Sequence, residues 1–297
     1  MAEIISLLSY PFMTRALVTG AAISFCAALL GVILVLKRYS MIGHGLADVA
    51  FCAVSLAVAL GLSPSQHVLV TLPVVVVASF VIMSLTRNGG KGDVAIGMVS
   101  TGALSLGIII TSLSNGFNVD VYNYMFGSIL ASSQYDMYMS LVLVGIVLVM
   151  FVVFYNRLFL ITYDESFAQA SGINVNFYQF LISFLTALTI VIGMRIMGTL
   201  LISSLIIFPA VTSRRMVKSF RSLVVVSAII SVVCFLCGLF TSYYLDLPTG
   251  ATIVACNIVF LRNNNPSHIT KGVKPWILMS LNARCTPPSF ILKAVNF

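Results

Sequence analysis

The sequence predicts an all-α, polytopic helical membrane protein with eight or nine transmembrane helices. Three properties of the 297 residues support this: 60% are hydrophobic, only 8% are charged, and the mean hydropathy is +1.08. A soluble domain cannot bury so much apolar surface, whereas helices in a bilayer can leave it facing hydrocarbon. The net charge of +8 does not indicate nucleic-acid binding, because the basic residues lie scattered in short loops and form no basic stripe.

Nine apolar segments follow one another along the chain and are candidates for membrane spans. They cover residues 14–36, 42–62, 67–86, 94–114, 136–156, 176–194, 196–213, 222–244 and 249–261. As one helix, residues 176–213 would be about 57 Å long, against a hydrocarbon core of about 30 Å. We therefore predict a break at Arg195, which lies between Gly193 and Gly198. Because this joint is tight and the last segment is short, the total is eight or nine.

The distribution of basic residues predicts the orientation in the membrane. Of the 16 lysines and arginines, 14 follow the odd-numbered segments or lie in the C-terminal tail, and only Arg15 and Arg195 lie elsewhere. Since cytoplasmic loops are enriched in Lys and Arg, the N-terminus is predicted outside and the C-terminus in the cytoplasm. The sequence thus predicts a multi-pass protein of the cell membrane, plasma or inner.

The chain divides into a transmembrane domain, residues 1–262, and a tail, residues 263–297. The tail is rich in Pro, Asn and basic residues and has no apolar stretch long enough to span, so we predict a poorly ordered cytoplasmic segment. Within the transmembrane domain, the outer segment 115–136 is too polar to span. Its centre, Tyr124 to Ala131, is predicted to form a short interfacial helix.

His44 and Asp48 in the second segment are the strongest candidates for a functional site. They are four residues apart, so on a helix both side chains lie on one face. An ionised carboxylate in a span costs about 2.5–3.5 kcal/mol, so a cation, water or a passing metal ion has to offset it. Imidazole plus carboxylate suits Zn²⁺ and also Mn²⁺ or Fe²⁺. The alternative is a structural pair, in which the histidine has the carboxylate as its hydrogen-bond acceptor and no metal is bound. The nearby Lys37 and Arg38 place the pair toward the cytoplasmic half.

The connector between the fifth and sixth segments is predicted to contain a short cytoplasmic helix. Asp164 and Glu165 precede a helical run from Ser166 to Ala170, and Gly172 follows as a C-cap. Such a helix between two spans is a candidate docking surface for a soluble partner. An ordinary solvated connector is the simpler alternative.

Six strings of the sequence, taken in order, match the motifs of one transporter family. They are KRYSMIGHGLAD (37–48), GDVAIG (92–97), YMFGSILA (124–131), YDESFAQASGI (163–173), MGTLLISSLIIFPAVTSR (197–214) and SYYLDLPTGATIV (242–254). Together they resemble the membrane permease subunits of ATP-binding-cassette importers for zinc, manganese and related divalent metals. In the first string Gly43 stands at the family glycine. His44 occupies the family's aspartate position and Asp48 its histidine position, so the two ligand types are exchanged in order.

The resemblance implies a role for each of these regions. Residues 1–262 are then a permease domain that forms the translocation path for Zn²⁺ or Mn²⁺, with Fe²⁺ also chemically compatible. The metal is held in transit, with no permanently bound cofactor. The implied site residues are His44 and Asp48 for metal, and Asp164, Glu165, Ala168 and Gly172 for coupling to the ATPase. We further predict Gly43 and Pro209 as gating or kink positions, Pro209 because a proline inside a helix kinks it.

The resemblance also implies partners: a cytoplasmic ABC ATPase, an extracytoplasmic metal-binding protein, a second copy of the chain and the lipid bilayer. The chain itself is predicted not to be an enzyme, because NGGKGDVAIG (88–97) has glycines and a lysine but not the order of a Walker A loop. ATP hydrolysis is expected in a separate subunit. The alternatives are a secondary divalent-metal transporter driven by an ion gradient and a non-transporting membrane scaffold.

Overall fold

The structure is a computed structural model that describes residues 11–37, 39, 41–62, 66–87, 92–113, 125, 127, 129 and 133–263. Within these residues the regular elements are helices. They are α1 (Pro11–Leu36), α2 (Ile42–Ala59), α3 (His67–Arg87), α4 (Gly92–Leu113), α5 (Gln134–Val153), α6 (Tyr155–Tyr163), α7 (Glu165–Ala170), α8 (Val175–Met197), α9 (Thr199–Met216), α10 (Phe220–Leu245) and α11 (Thr249–Asn263). The predicted all-α fold is confirmed, while the tail from residue 264 lies outside the described part.

Seven of the described helices are long and apolar enough to cross a membrane: α1, α2, α3, α4, α5, α8 and α10. The predicted count of eight or nine also included the segments that form α9 and α11. Both are helical at the expected places, but α11 has only 15 residues. Helix α9 carries buried hydroxyls, and Ser203 and Ser204 donate hydrogen bonds to the carbonyls of Thr199 and Leu201. These hydroxyls lower its apolar character without leaving unsatisfied groups.

The centre of the bundle is formed by α1, α2 and α8, and α4 and α5 lie at its periphery. In α1, 83% of the membrane-length window is buried, compared with 22% in α4 and in α5. A helix that is apolar on all sides has no face for water, so α1 can serve as the central element. Helices α4 and α5 therefore present most of their surface outward, where lipid or another chain can cover it.

The joint between α8 and α9 is a single residue, Gly198, with φ 81° and ψ 164°. Glycine takes a positive φ without the steric penalty that a Cβ brings. The break therefore lies three residues beyond the predicted Arg195, which remains in the last turn of α8. There its Nε lies 3.6 Å from Asp136 Oδ1. Asp136 also forms a capping box with Ser133 at the start of α5.

Two charged contacts show which helix ends meet. The end of α8 and the start of α5 meet through Arg195 and Asp136. At the opposite end, Lys37 after α1 pairs with Glu165 of α7. We call this opposite end the basic end. It is the end predicted to be cytoplasmic, and it carries Lys37, Arg157, Arg214, Arg215, Lys218, Arg221 and Arg262.

The predicted interfacial helix at 124–131 lies mostly outside the described residues, but two of its positions are packed inside the bundle. Ile129 is fully buried. Gly127 has φ 76°, and a Cβ there would lie 2.2 Å from the carbonyl atoms of Met197. Gly127 thus lies against the joint between α8 and α9, and the interfacial position of the segment stays a prediction.

Candidate metal centre

His44 and Asp48 lie on one face of α2, as predicted. His44 is the third residue of the helix, and its Nε2 is 3.8 Å from Asp48 Oδ2. That separation is too long for a hydrogen bond. The His44 side chain is 49% exposed and the Asp48 side chain 9%. Helix α2 begins with Ile42 at the basic end, and Asp48 lies about 9 Å further along the helix axis, so the pair is close to that end.

Ser100 of α4 supplies a polar partner that sequence reasoning did not identify. Its hydroxyl donates a hydrogen bond to Asp48 Oδ2, and both side chains are buried. A hydrogen bond to a buried carboxylate offsets part of its desolvation cost. The only sequence signal is a serine three residues after the GDVAIG motif, and it does not stand out because the same helix contains Thr101, Ser105 and further hydroxyls.

The glycines on either side of His44 let α2 pack closely against two neighbours. A Cβ on Gly43 would lie 3.3 Å from Ile206 Cδ1 of α9, and one on Gly45 would lie 3.0 Å from Ile96 Cγ2 of α4. Helix α2 continues unbroken through both positions. Pro209 is likewise buried inside an uninterrupted α9. Roles of Gly43 and Pro209 in gating stay predictions.

His44 and Asp48 are two side chains of the types that bind divalent metals, and their role as ligands stays a prediction. No group of three or more His, Cys, Asp or Glu side chains that could hold a metal occurs among the described residues. His67 lies at the opposite end of the bundle, where its Nε2 is 3.0 Å from the Leu62 carbonyl oxygen that accepts its hydrogen bond. A zinc ion usually takes four ligands. Further donors would come from water or from another chain.

The outward face of α4 carries small and polar residues among large apolar ones, which include Met98, Leu106 and Ile109. Its exposed residues include Gly97, Thr101, Gly102, Ser105 and Ser112. The hydroxyls donate to carbonyls of the same helix, as between Ser105 and Thr101 O at 2.7 Å. Helix α5 instead exposes valines along its length. Small residues with self-satisfied hydroxyls allow close helix–helix contact in a membrane, so this α4 stripe suits a protein neighbour.

The predicted short helix of the connector is present as α7. The Asp164 side chain accepts a hydrogen bond from Phe167 N at 2.9 Å, and Ala168 is fully buried. Gly172 follows with φ 78°, as expected at the end of a helix. The Phe167 side chain points outward and is 57% exposed.

Glu165 connects α7 to two spans. Its Oε2 lies 3.7 Å from Lys37 Nζ, and its Oε1 accepts a hydrogen bond from Gln179 Nε2 at 2.8 Å. Lys37 follows α1, and α2 begins five residues later with the segment that carries His44. The connector helix is therefore linked to the beginning of the candidate metal site.

Comparison with known proteins gives consistent matches over the described part of the chain. The model of the ABC 3 transport family matches residues 9–263. The chain is 33% identical to the high-affinity zinc uptake system membrane protein ZnuB of Haemophilus influenzae, over 82% of this chain and 92% of that protein. It is 30% identical to the manganese import system permease protein ScaB of Streptococcus gordonii, over 85% and 90%.

Solved structures show the same fold. PsaBC from Streptococcus pneumoniae in complex with Fab superimposes with a TM-score of 0.79 at 29% identity, covering 89% of this chain and 94% of that chain. An inward-facing putative metal-chelate type ABC transporter superimposes with a TM-score of 0.71 at 16% identity, covering 85% of each chain. The second likeness concerns the fold alone.

Proposed function

The chain belongs to the ABC 3 transport family, and on this premise we propose that it is the membrane permease subunit of an ATP-driven importer of divalent metal ions. The substrate is Zn²⁺ or Mn²⁺, with Fe²⁺ as a chemically compatible third ion. The zinc and manganese permeases that the chain resembles are matched over 90% or more of their own length. The paired side chains of His44 and Asp48 carry the proposal for this chain.

The geometry of the pair is close to that of two ligands on one ion. Zn–N and Zn–O bonds of about 2.0–2.2 Å at a tetrahedral angle separate the two ligand atoms by about 3.4 Å. His44 Nε2 and Asp48 Oδ2 are 3.8 Å apart, so a small rotation of either side chain brings them into range. Two ligands hold an ion weakly enough for release, which a transport site requires.

A second copy of the chain completes the site in this proposal. His44 is half exposed, Asp48 accepts a hydrogen bond from Ser100 of α4, and the α4 stripe of Gly97, Thr101, Gly102, Ser105 and Ser112 is exposed on the same helix. If α4 contacts its symmetry mate across a two-fold axis, two His–Asp pairs approach a shared path. The ion would then be passed between up to four protein ligands.

Energy for transport comes from a separate cytoplasmic ATPase that binds α7. The exposed Phe167 offers an apolar anchor, and the contacts of Glu165 lead from that helix to α1 and α8. An extracytoplasmic metal-binding protein delivers the ion at the opposite end. Movement of α7 on ATP binding alternates access to the path.

Uptake of labelled Zn²⁺ and Mn²⁺ into proteoliposomes tests the proposal. The complete system should transport with ATP, whereas the chain alone should not. Transport by the chain alone in an ion gradient would establish the secondary-transporter alternative.

The double variant His44→Ala/Asp48→Ala should abolish accumulation in cells. His67→Gln is the matched control, because glutamine keeps a donor for the Leu62 carbonyl. Unchanged accumulation in the double variant would instead favour a scaffold.

A further inference from the structure

A cavity at the basic end has no role in the proposed transport cycle. It has a volume of about 470 Å³ and lies between α6 and the connection from α9 to α10. Phe220, the first residue of α10, is the centre of an aromatic wall along one side. Its ring centroid lies 5.5 Å from that of Tyr155, 5.2 Å from Phe159 and 6.3 Å from Tyr163. We call these four residues the aromatic wall.

The rim of the same cavity is cationic. Lys218 and Arg221 line it, both are exposed, and no carboxylate is among the lining residues that the structure describes. The Arg221 guanidinium carbon lies 5.9 Å from the ring centroid of Tyr155, so it rests beside the wall. Ser219, the N-cap of α10, makes no side-chain capping hydrogen bond, and it lines the cavity together with Phe220, so the positive end of the α10 dipole borders the cavity. Each of these features favours a negatively charged group.

The helices that border the cavity continue as exposed aliphatic surface. Val152 and Val153 lie just before α6, and Val225 and Ile229 lie one and two turns into α10, all of them exposed. In a chain with seven candidate spans, exposed aliphatic surface of this kind is suited to contact with lipid tails. A ligand of this groove therefore needs an anionic head at the membrane surface and an apolar body below it.

We propose that the cavity binds an anionic phospholipid of the leaflet at the basic end. Its phosphate contacts Lys218 and Arg221, and its glycerol and upper acyl chains pack against the aromatic wall. Basic pockets between transmembrane helices on the cytoplasmic side are suited to such headgroups. A docked ATPase would meet the same cations, but it would not account for the exposed aliphatic residues at the end of α5 and in the first turns of α10.

Lipid retention by the purified full-length chain tests this proposal. The chain is exchanged into mixed vesicles of phosphatidylcholine and phosphatidylglycerol, re-isolated in detergent, and its bound lipid is quantified by mass spectrometry. Wild type should retain phosphatidylglycerol preferentially, and rising salt should reduce that preference. Lys218→Gln/Arg221→Gln should lower the preference about tenfold or more.

Arg214→Gln/Arg262→Gln is the matched control, since it removes two charges from the same end outside the cavity lining. It should change the preference by less than about threefold. An equal loss in both double variants would overturn the proposal, because it would reduce the effect to general surface charge. Full displacement of the lipid by inorganic phosphate would also overturn it, as the acyl chains would then contribute nothing. Unchanged lipid retention with lost ATPase binding would assign the cavity to the protein partner.

Discussion

Lys37 and Glu165 form an ion pair between two segments 128 residues apart in the sequence, with 3.7 Å between Nζ and Oε2. The Lys37 side chain is only 5% exposed, and Glu165 also accepts a hydrogen bond from Gln179. One carboxylate therefore joins α7, where we place the ATPase, to the turn that leads into α2. A displacement of α7 would therefore act through Lys37 on the start of α2, where His44 lies.

We expect Glu165→Gln and Lys37→Met each to uncouple ATP hydrolysis from transport. The free energy of unfolding should fall by about 1–3 kcal/mol, less than for a fully buried pair because Glu165 is 38% exposed. The measurement is the number of metal ions moved per ATP hydrolysed, together with thermal unfolding. The exchanged pair Lys37→Glu/Glu165→Lys should recover part of the coupling. If the loss in this double variant equals the sum of the two single losses, the prediction is contradicted.

Asp246→Asn is a suitable control for these charge changes. Asp246 lies at the opposite end of the bundle with φ 49°, a conformation that asparagine adopts well. Coupling and stability should both be retained.

Replacing the acid of the candidate metal site should stop transport without unfolding the chain. Asp48→Asn keeps the size and a hydrogen-bonding partner for Ser100 but removes the charge that attracts the cation. Uptake should fall at least about tenfold, as expected for the loss of one charged ligand. Normal uptake in this variant would show that His44 and Asp48 form a structural pair and not a metal site.

The exchanged order of the two ligands can be tested directly. The double substitution His44→Asp/Asp48→His keeps both donor types on the same face of α2. We expect transport to survive with an altered preference between Zn²⁺ and Mn²⁺, measured by competition between the two ions. Complete loss of uptake by a well-folded variant would mean that the order itself is required.

Ser100→Ala should weaken the site through Asp48. The substitution leaves a buried carboxylate oxygen without its hydroxyl donor, which costs about 1–3 kcal/mol. Thermal stability and uptake should both decrease, and Ser100→Thr should restore them because it keeps the hydroxyl. If Ala and Thr behave alike, the hydrogen bond has no role.

The α4 stripe gives a prediction about assembly. A Cβ on Gly102 would meet no atom within 4 Å, and the same is true of Gly145 on α5. Gly102→Leu should lower the dimer fraction measured by cross-linking in membranes, because a large side chain separates helices that pack through small residues. Gly145→Leu should leave dimerisation unchanged, since it adds apolar surface on a valine-rich face. Equal behaviour of the two variants would place the dimer contact elsewhere.

The sequence predicted the helices better than the contacts between them. Apolar length and flanking charge placed each span within a few residues, because lipid imposes those constraints locally. The spacing of His44 and Asp48 likewise fixed their common face. The partner Ser100 was not predictable, since it depends on how α4 packs against α2 across 52 positions of sequence.

One local feature was placed wrongly. The joint after α8 is at Gly198 and not Arg195, because the positive φ of a glycine, rather than the charge of an arginine, allows the reversal. The outer segment was predicted as a short interfacial helix. The structure describes three of its positions, of which Ile129 is buried and Gly127 packs against Met197, so its interfacial position stays a prediction.

The single-residue joint at Gly198 leaves no connecting loop between α8 and α9, which have 23 and 18 residues. Both helices run back to the basic end, where Gln179 of α8 donates a hydrogen bond to Glu165. We therefore expect a displacement of α7 to change the angle between α8 and α9, with Gly198 as the hinge.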